Sequence, residues 1–230
     1  MIQKKRSFQA IVLAGGFGTR LRSISGTIPK PMMPVGGVPF VYHLLKRLEL
    51  YGADRIVLAL HYNAELIIEQ VMRDSPVNCE ILFSVESLPL GTGGAIKQAV
   101  SLLRNDRFIV LNGDTFLDID YHDLIDSSVD HDLFMAAVWV EDQSRYGAID
   151  ISEIGRVNFI GKGMMRAGPI NSGAYVVNKS SILSVSADRF GFEEEYVKLF
   201  SESLGAKVYN AQFIDIGVPE DYFRAVRLFE

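Results

Sequence analysis

A glycine-rich segment near the N-terminus contains the residue types that bind a chain of phosphates. The apolar run Ile11–Ala14 leads directly into Gly15–Arg20, which reads GGFGTR. Glycines let backbone N–H groups approach an anion closely and point at it together. Arg20 supplies one cation, and Lys30, which stands between two prolines, supplies another. The segment therefore predicts a polyphosphate site, although a glycine pair after a strand can also form only a tight turn.

This segment does not follow either of two standard phosphate-binding motifs. The P-loop pattern G-x-x-x-x-G-K-[ST] is absent from it. Leu21 and Arg22 stand where the dinucleotide-binding pattern G-x-G-x-x-G would need its last glycine. The predicted phosphate site is therefore of another kind.

Two aspartates stand in positions that suit metal ligands. Asp114 follows the apolar run Phe108–Leu111 and comes directly after a glycine, whereas Asp215 lies among large apolar residues in Phe213–Val218. Mg²⁺ prefers one or two carboxylates together with phosphate oxygens and water. A carboxylate in apolar surroundings is costly unless it is paired or binds a metal. Asp114 alone would more simply close a turn, but beside a phosphate loop the metal-ligand interpretation is favoured.

Composition and charge limit the classes of protein to which the chain can belong. Its 230 residues are 48% hydrophobic and 22% charged, which is typical of a globular protein with a large core. The net charge of −5 argues against nucleic acid as a general partner. A single cysteine, Cys79, excludes an intrachain disulfide framework and suits a reducing compartment.

The apolar runs are too short for a targeting or membrane-spanning segment. The run that follows the basic residues of Met1–Arg6 ends at Ala14, short of the apolar core of a signal peptide. No stretch approaches the ~18 apolar residues of a membrane span. We therefore expect a cytoplasmic protein without a membrane partner.

Strand-like apolar runs alternate with helical patterns in the first half of the chain, and the second half is richer in strands. The predicted strands are Ile11–Ala14, Ile56–Leu60, Glu80–Ser84, Phe108–Leu111, Phe134–Val140, Ala148–Ile151, Val157–Ile160 and Ala174–Val177. The predicted helices are Val41–Tyr51, Ala64–Asp74, Gly94–Arg104 and Pro219–Phe229. The alternation predicts an α/β fold with a mixed, mostly parallel sheet and helices on both faces.

Several candidate segments follow directly after predicted strands. They are Gly15–Arg20, Glu86–Gly94 and Asn112–Thr115. Open parallel sheets bind their ligands at the carboxyl ends of the strands. We therefore expect these segments to meet at one edge of the sheet.

A compound motif connects the phosphate loop to the second cation. The pattern G-G-x-G-[ST]-R-[LM] followed by P-K-P-[ML], here Gly15–Leu21 and Pro29–Met32, resembles that of the sugar-1-phosphate nucleotidyltransferases. The resemblance extends from Gln9 to about Phe223 with the motifs in the family's order. The combination of N-G-D-T-F-x-D-I-D, P-L-G-T-G-G-A-I-K and F-I-D-I-G-V-P-E-D-Y is most similar to that of D-glycero-α-D-manno-heptose 1-phosphate guanylyltransferases.

The resemblance implies a single-domain Rossmann-like fold of the glycosyltransferase-A type. Residues 8–133 would form its nucleotide-binding half and residues 134–230 its sugar-phosphate-binding half. It also implies that Asp114 and Asp215 hold Mg²⁺, and that Arg20 and Lys30 draw charge towards the leaving pyrophosphate. The implied nucleotide-binding residues are Leu13, Ala14, Gly15, Gly16, Gly18, Thr19, Glu86, Gly91, Thr92 and Gly113.

Glu86 is the residue to which the resemblance gives a role in base recognition. It stands at the head of a P-L-G-T-[GA]-G loop, which contacts the base in that family. Guanine offers N1–H and N2–H₂ as adjacent donors, whereas uracil and thymine offer one donor between acceptors. A carboxylate with two acceptor oxygens therefore suits guanine. The alternative is a glutamate at a strand end that only faces solvent, and both interpretations stay open.

The resemblance places the sugar phosphate beside a second group of residues. Lys162 would contact the phosphate, but Gly161 stands where the family often has a glutamate. Asn171 belongs to an N-x-G-x-Y segment whose asparagine meets sugar hydroxyls in the family. The other implied sugar-phosphate-binding residues are Tyr146 and Gly147 of a Y-G loop and Glu193 of an F-E-[EK] segment.

The implied reaction transfers a guanylyl group from GTP to D-glycero-α-D-manno-heptose 1-phosphate and releases pyrophosphate. Its product would serve a bacterial surface polysaccharide such as lipopolysaccharide, capsule or S-layer glycan. Alternatives are uridylyl or cytidylyl transfer, a mannose-type guanylyltransferase, or a non-catalytic nucleotide-sugar-binding regulatory module. Intact Arg20, Lys30, Asp114 and Asp215 argue against the regulatory module. The expected partners are GTP and a sugar 1-phosphate, and the oligomeric state stays open, a homo-oligomer included.

Overall fold

A nine-stranded sheet forms the centre of the described chain, which in this computed structural model comprises residues 6–16, 18, 21, 24, 26–152, 155–161 and 165–230. The strands of the described chain are β1 (Phe8–Leu13), β2 (Pro34–Val35), β3 (Val38–Pro39), β4 (Ala53–Leu60), β5 (Glu80–Val85), β6 (Arg107–Asn112), β7 (Thr115–Leu117), β8 (Leu133–Val140), β9 (Ala148–Ile151), β10 (Val157–Gly161), β11 (Gly168–Asn178), β12 (Leu204–Tyr209) and β13 (Phe213–Asp215).

Helices and short helical turns connect these strands. The helices are α1 (Phe40–Leu50), α2 (Ala64–Arg73), α3 (Gly91–Ala99), α4 (Tyr121–Ser127), α5 (Lys179–Ser184), α6 (Val197–Leu199) and α7 (Pro219–Phe229). The turns are 3₁₀ turns at Lys30–Met32, Val100–Leu102 and Ser201–Ser203 and a π-helical turn at Phe192–Tyr196. Within the described ranges, no helix is both long and apolar enough to cross a membrane.

The central sheet is mixed, with most of its strands running in the same direction. The strand order is β10-β9-β11-β6-β1-β4-β5, with β8 paired to the long strand β11 and β12 paired to β8. β1 is parallel to both β4 and β6, and β4 is parallel to β5. β11 is antiparallel to β6, β8 and β9. The predicted α/β architecture with a mixed, mostly parallel sheet is therefore confirmed.

Apolar layers on both faces of the sheet explain why these segments form the core. Ala10 and Val12 of β1 belong to one layer, which also contains Leu45 of α1. Ile11 of β1 belongs to the other layer, which contains Ile96 of α3. A strand buried on both faces has a continuous apolar sequence, and this is why β1 was predictable. Helices on both faces of the sheet are likewise confirmed.

Two elements differ most from their predicted bounds, and in both the reason is local. α3 does not reach the predicted Arg104, because the chain tightens into a 3₁₀ turn and Leu103 is already extended. β11 begins at Gly168, earlier than predicted, and passes through a bulge that contains Gly173. The φ angle of Gly173 is +74°, and a Cβ there would lie 2.6 Å from Nδ2 of Asn112. Both features require glycine at this position.

Gly113 joins the end of β6 to the end of β1. Its N–H donates to the carbonyl oxygen of Leu13 at 2.9 Å. A Cβ at Gly113 would lie 2.4 Å from that same oxygen, which is closer than real Cβ atoms come to a backbone oxygen. Glycine is therefore required for the turn after β6 to lie against the loop after β1.

A small two-stranded sheet brings the C-terminal part of the chain to the same place. β13 pairs with β7, so that Asp215 lies opposite Thr115. The N–H of Ile216 also donates to the carbonyl oxygen of Asp114 at 2.9 Å. The sequence did not indicate this pairing, because each strand has only three residues and too few side chains to show an alternating pattern.

The contact at Gly113 leads to a prediction about stability. We expect Gly113→Ala to lower the free energy of unfolding by about 1–3 kcal/mol, the usual cost of overpacking, because the new methyl group would meet the backbone of β1. Urea denaturation measures this change. Gly16→Ala is the matched control, since a Cβ at Gly16 meets no atom within 4 Å. Equal stability of the two variants would contradict the packing role of Gly113.

Candidate active site

A cavity of about 380 Å³ lies at the carboxyl ends of β1, β4, β5 and β6. The sequence-predicted site residues that line it are Leu13, Gly15, Gly16, Lys30, Glu86, Gly91, Thr92, Gly113, Asp114 and Glu193. These residues come from distant parts of the sequence. Their meeting at one edge of the sheet agrees with the position expected for a ligand in an open parallel sheet.

The loop after β1 is held by backbone contacts to its neighbours. Ala14 is buried, and its N–H donates to a carbonyl oxygen of β4 at 2.9 Å. A Cβ at Gly15 would lie 2.9 Å from the backbone nitrogen of His61. Gly18 has a φ of +58°, and its Cβ would lie 3.2 Å from Cβ of Lys30. The glycines of this loop thus let it lie close to β4 and to the segment that carries Lys30.

Lys30 and Asp114 form an ion pair in the cavity. The ammonium group of Lys30 contacts Oδ2 of Asp114, and 10% of the lysine side chain and 33% of the aspartate side chain are exposed. Lys30 begins a 3₁₀ turn after Pro29, whose extended backbone sets the direction of the chain. Since little of the lysine is exposed to water, the cation is held in place before any ligand arrives.

Asp215 lies beside Asp114 through the backbone pairing of β13 with β7. The N–H of Gly217 donates to Oδ1 of Asp215 at 2.6 Å, which fixes the carboxylate next to the chain. Among the described residues, no group of three or more histidine, cysteine, aspartate or glutamate side chains could hold a metal ion. Two carboxylates on adjoining segments are nevertheless the number that Mg²⁺ uses when phosphate oxygens and water complete its shell.

Glu86 is fixed by contacts on both its backbone and its side chain. Its N–H donates to the carbonyl oxygen of Leu60 at 2.9 Å, and its own carbonyl oxygen lies 3.2 Å from Nδ1 of His61. Oε2 of its carboxylate accepts the N–H of Leu90 at 2.7 Å. One carboxylate oxygen thus stabilises the loop itself, so Glu86 is more than a solvent-facing glutamate at a strand end.

The glycines of the second loop pack against another part of the chain. Gly93 and Gly94 donate their N–H groups to the carbonyl oxygen of Phe190 at 3.0 and 3.3 Å. Gly91 has a φ of +74°, and a Cβ there would lie 2.5 Å from that same oxygen. The hydroxyl oxygen of Thr92 accepts the N–H of Phe192 at 2.8 Å. The glycines are therefore explained by the close approach of the segment that contains Phe190 and Phe192, and not by a ligand alone.

The residues that were predicted to bind the sugar phosphate form a connected group. The N–H of Asn171 donates to the carbonyl oxygen of Gly147 at 3.1 Å, and its side-chain amide donates to Oε1 of Glu193 at 2.9 Å. The ring of Tyr146 lies 5.8 Å from that of Phe213, which is two residues before Asp215 in β13. Burial is the main cause that raises the pKa of Tyr146, and nearby carboxylates act in the same direction. The group therefore lies close to the acidic end of the site.

Three predicted residues cannot be placed, and some residues of the site were missed. Thr19, Arg20 and Lys162 lie outside the described residues. The cavity is also lined by His61 and Asn112, which sequence reasoning did not select. His61 follows β4 directly, so the rule that ligands bind at the carboxyl ends of strands would have found it.

The fold and the position of the cavity are those of an α/β nucleotide-binding protein. Residues 9–229 match the family model described as nucleotidyl transferase. The chain therefore belongs to the nucleotidyl transferase family.

Relatives in this family match nearly the whole chain. D-glycero-α-D-manno-heptose 1-phosphate guanylyltransferase of Campylobacter jejuni is 38% identical over 94% of this chain and 97% of its own length. The protein of the same name from Aneurinibacillus thermoaerophilus is 34% identical over 94% and 96%. The crystal structure of HddC from Yersinia pseudotuberculosis is 46% identical and superposes with a TM-score of 0.92 over 97% of this chain and 100% of that one. The same protein has been solved in complex with GMP-PN.

The fixed cation leads to a prediction about turnover in this family of enzymes. We expect Lys30→Ala to lower kcat by about a hundredfold, the usual cost of removing one group that stabilises charge in a transition state. The KM for the nucleoside triphosphate should change less, because the contribution of the lysine grows as the pyrophosphate departs. Steady-state kinetics measures both, with Lys46→Ala, an exposed lysine of α1, as the control. A rise in KM alone would show that Lys30 only docks the substrate.

Proposed function

We propose that this chain makes GDP-D-glycero-α-D-manno-heptose and pyrophosphate from GTP and D-glycero-α-D-manno-heptose 1-phosphate, for a bacterial surface polysaccharide. The observation that carries the proposal is the 46% identity to HddC, which has been solved with the guanine nucleotide GMP-PN. The two heptose 1-phosphate guanylyltransferases support the sugar, because they match this chain over nearly their whole lengths.

The proposed reaction is a direct transfer between two phosphates. A phosphate oxygen of the sugar 1-phosphate attacks the α-phosphorus of GTP and forms a new P–O bond. The bond from that phosphorus to the bridging oxygen of the β-phosphate breaks, and pyrophosphate leaves with the electron pair. No covalent intermediate with the protein is needed, so its residues act by holding the phosphates in line and by offsetting charge.

Lys30 is placed to offset the charge of the leaving pyrophosphate. It lines the cavity, and its ammonium group is held by Asp114 on the side of the glycine loop. The family resemblance gives Arg20 the same task and gives Lys162 the task of orienting the attacking phosphate. A cation that is already fixed needs no rearrangement as negative charge develops, which is the condition for strong electrostatic stabilisation.

Nucleotidyl transferases of this family generally use a divalent metal ion. We propose Mg²⁺, with Asp114 and Asp215 as the residues that would hold it. Two carboxylates on hydrogen-bonded segments fit an ion that takes its other ligands from phosphate and water. When bound, the ion would neutralise charge on the α-phosphate. The contact with Lys30 keeps the carboxylate of Asp114 in the cavity.

We assign recognition of guanine to Glu86. Oε2 accepts the N–H of Leu90 with one lone pair, and a carboxylate has about four, so both oxygens can still accept the two adjacent donors of guanine. Gly91 and Thr92 line the same part of the cavity. The backbone contacts on both sides of Glu86 hold this acceptor in one place, and a fixed acceptor discriminates between bases better than a mobile one.

We assign the sugar phosphate to the second half of the chain. We propose that the group formed by Tyr146, Gly147, Asn171 and Glu193 makes up the sugar side of the site. Glu193 and Asp114 line the same cavity, so a sugar phosphate bound beside Glu193 would lie in the cavity that contains Asp114.

The test of the proposed function is pyrophosphate release by the purified protein. Each of GTP, ATP, CTP and UTP is combined with heptose 1-phosphate, mannose 1-phosphate or glucose 1-phosphate, in Mg²⁺ and in EDTA. We expect the highest kcat/KM with GTP and heptose 1-phosphate in Mg²⁺, and no release in EDTA. A higher kcat/KM with another nucleotide or another sugar contradicts that half of the proposal. Nucleotide binding without turnover of any pair would indicate a regulatory module.

The role of Glu86 leads to a separate prediction about nucleotide preference. We expect Glu86→Gln to lower kcat/KM for GTP by about tenfold, because a hydrogen bond to a charged group is lost or weakened. The ratio of kcat/KM for GTP to kcat/KM for UTP should therefore fall. Competition between GTP and UTP measures this preference. Glu65→Gln, an exposed glutamate of α2, is the control. An unchanged preference would remove Glu86 from base recognition and leave the rest of the site as assigned.

A further inference from the structure

A hydrogen-bond network at the sugar side of the site contains a tyrosine to which the motif comparison gave no role. Tyr175 of β11 is fully buried. Its hydroxyl donates to Oε1 of Glu193 at 2.7 Å and accepts from Nδ2 of Asn171 at 2.6 Å. The same Nδ2 donates to Oε1 of Glu193 at 2.9 Å. The three side chains therefore form a closed ring of hydrogen bonds.

The side-chain amide of Asn171 uses its donors within the protein. An amide nitrogen has two hydrogens, and those of Asn171 are directed at Tyr175 and Glu193. Oδ1 of Asn171 accepts the N–H of Gly173 at 2.9 Å. That bond fixes the orientation of the amide, because a flipped amide would set a donor against a donor. The amide thus has no hydrogen left for a sugar hydroxyl.

We infer that Asn171 and Tyr175 are positioning residues, and that Glu193 is the side chain that contacts the hydroxyls of the sugar. The inference rests on the proposed function for its substrate class, a sugar 1-phosphate. Glu193 is exposed and lines the cavity. Both internal bonds end on Oε1, so Oε2 is the oxygen that meets the substrate. An ionised carboxylate is a strong acceptor for a hydroxyl group.

The surroundings of Tyr175 suit a fixed donor. Burial, together with the carboxylate of Glu193, raises the pKa of Tyr175 well above its ordinary range, so the hydroxyl keeps its proton. Its ring packs at 4.9 Å against that of Phe192, the residue before Glu193. Glu193 itself lies in the π-helical turn Phe192–Tyr196, a type of turn that is frequent at functional sites. An exposed glutamate without this support would have to be ordered each time the sugar binds.

The test is Tyr175→Phe, which removes the hydroxyl and keeps the ring against Phe192. We expect the KM for the sugar 1-phosphate to rise about tenfold, as for loss of a hydrogen bond to a charged group. The KM for GTP should stay within about twofold of the wild type, because the two groups released, Glu193 and the side-chain amide of Asn171, both belong to the proposed sugar side of the site. Steady-state kinetics with each substrate varied in turn measures both values, and thermal unfolding verifies that the variant is folded.

Tyr196→Phe is the matched control. Tyr196 is also buried and stacks on Phe192 at 5.0 Å, but its hydroxyl lies 2.5 Å from that of Ser181. We expect this variant to leave the KM for the sugar 1-phosphate unchanged. An equal rise in the two tyrosine variants, a parallel rise in the KM for GTP, or no change in Tyr175→Phe would each overturn the inference.

A second variant, Asn171→Asp, tests the inference if Tyr175→Phe does not fold. Asn171→Asp keeps an acceptor for the N–H of Gly173 but sets a second carboxylate against Glu193. We expect this variant to raise the KM for the sugar 1-phosphate and to leave the KM for GTP unchanged. An unchanged KM for the sugar 1-phosphate would contradict the inference. Each variant is assayed with the substrate pair that the wild type uses best. A different best pair would therefore contradict the proposed function while leaving the positioning role to be decided by the variants.

Discussion

The hydrogen bond from the N–H of Gly113 to the carbonyl oxygen of Leu13 sets the geometry of the site. It joins the ends of two neighbouring parallel strands where both chains turn away from the sheet. Because no Cβ fits there, the turn that carries Asp114 lies as close to the glycine loop as two backbones allow. Asp215 is located relative to Asp114 by the N–H of Ile216. The positions of both acids relative to the glycine loop therefore depend on two contacts between backbones.

The ion pair of Lys30 with Asp114 explains how an acidic protein keeps a cation for phosphates. Removing a lysine from water is costly, and a nearby carboxylate offsets that cost. The net charge of −5 gives the chain no general attraction for anions, so the attraction has to be local. A bound polyphosphate would compete with Asp114 for the lysine. The carboxylate of Asp114 would then be available to a metal ion.

The fold was largely predictable because its core elements carry strong patterns. The apolar run of β1, the helical spacing of α1 and the proline that begins α7 each gave bounds within a few residues of those observed. Local patterns could not predict the pairing of β7 with β13, because three residues are too few to show a period. The bond from Leu90 to Glu86 was likewise hidden, because it depends on how the loop folds back on itself.

In the candidate site, too, short sequence patterns predicted individual residues but not the contacts between segments that are distant in the sequence. The strand end identified Asp114, the two flanking prolines and the compound motif identified Lys30, and the resemblance identified Glu86; all three line the cavity. Motif spacing singled out Asn171, but not the ring of hydrogen bonds that uses both hydrogens of its amide. That ring depends on Glu193, which lies on a separate turn of the chain. Contacts between segments so far apart in sequence leave no periodic signal in a single chain.

The contact between the two loops around Phe190 has a consequence for how such a protein can diverge. The carbonyl oxygen of Phe190 accepts the N–H groups of Gly93 and Gly94, and Glu193 follows three residues later in the chain. Replacing Gly93 or Gly94 would displace the turn that carries Glu193, since no side chain fits between the loops. Exchange of residues 188–194 for those of a relative would therefore require the matching loop from residue 91 to residue 94. The two loops therefore have to change together, because exchange of either one alone would displace the other.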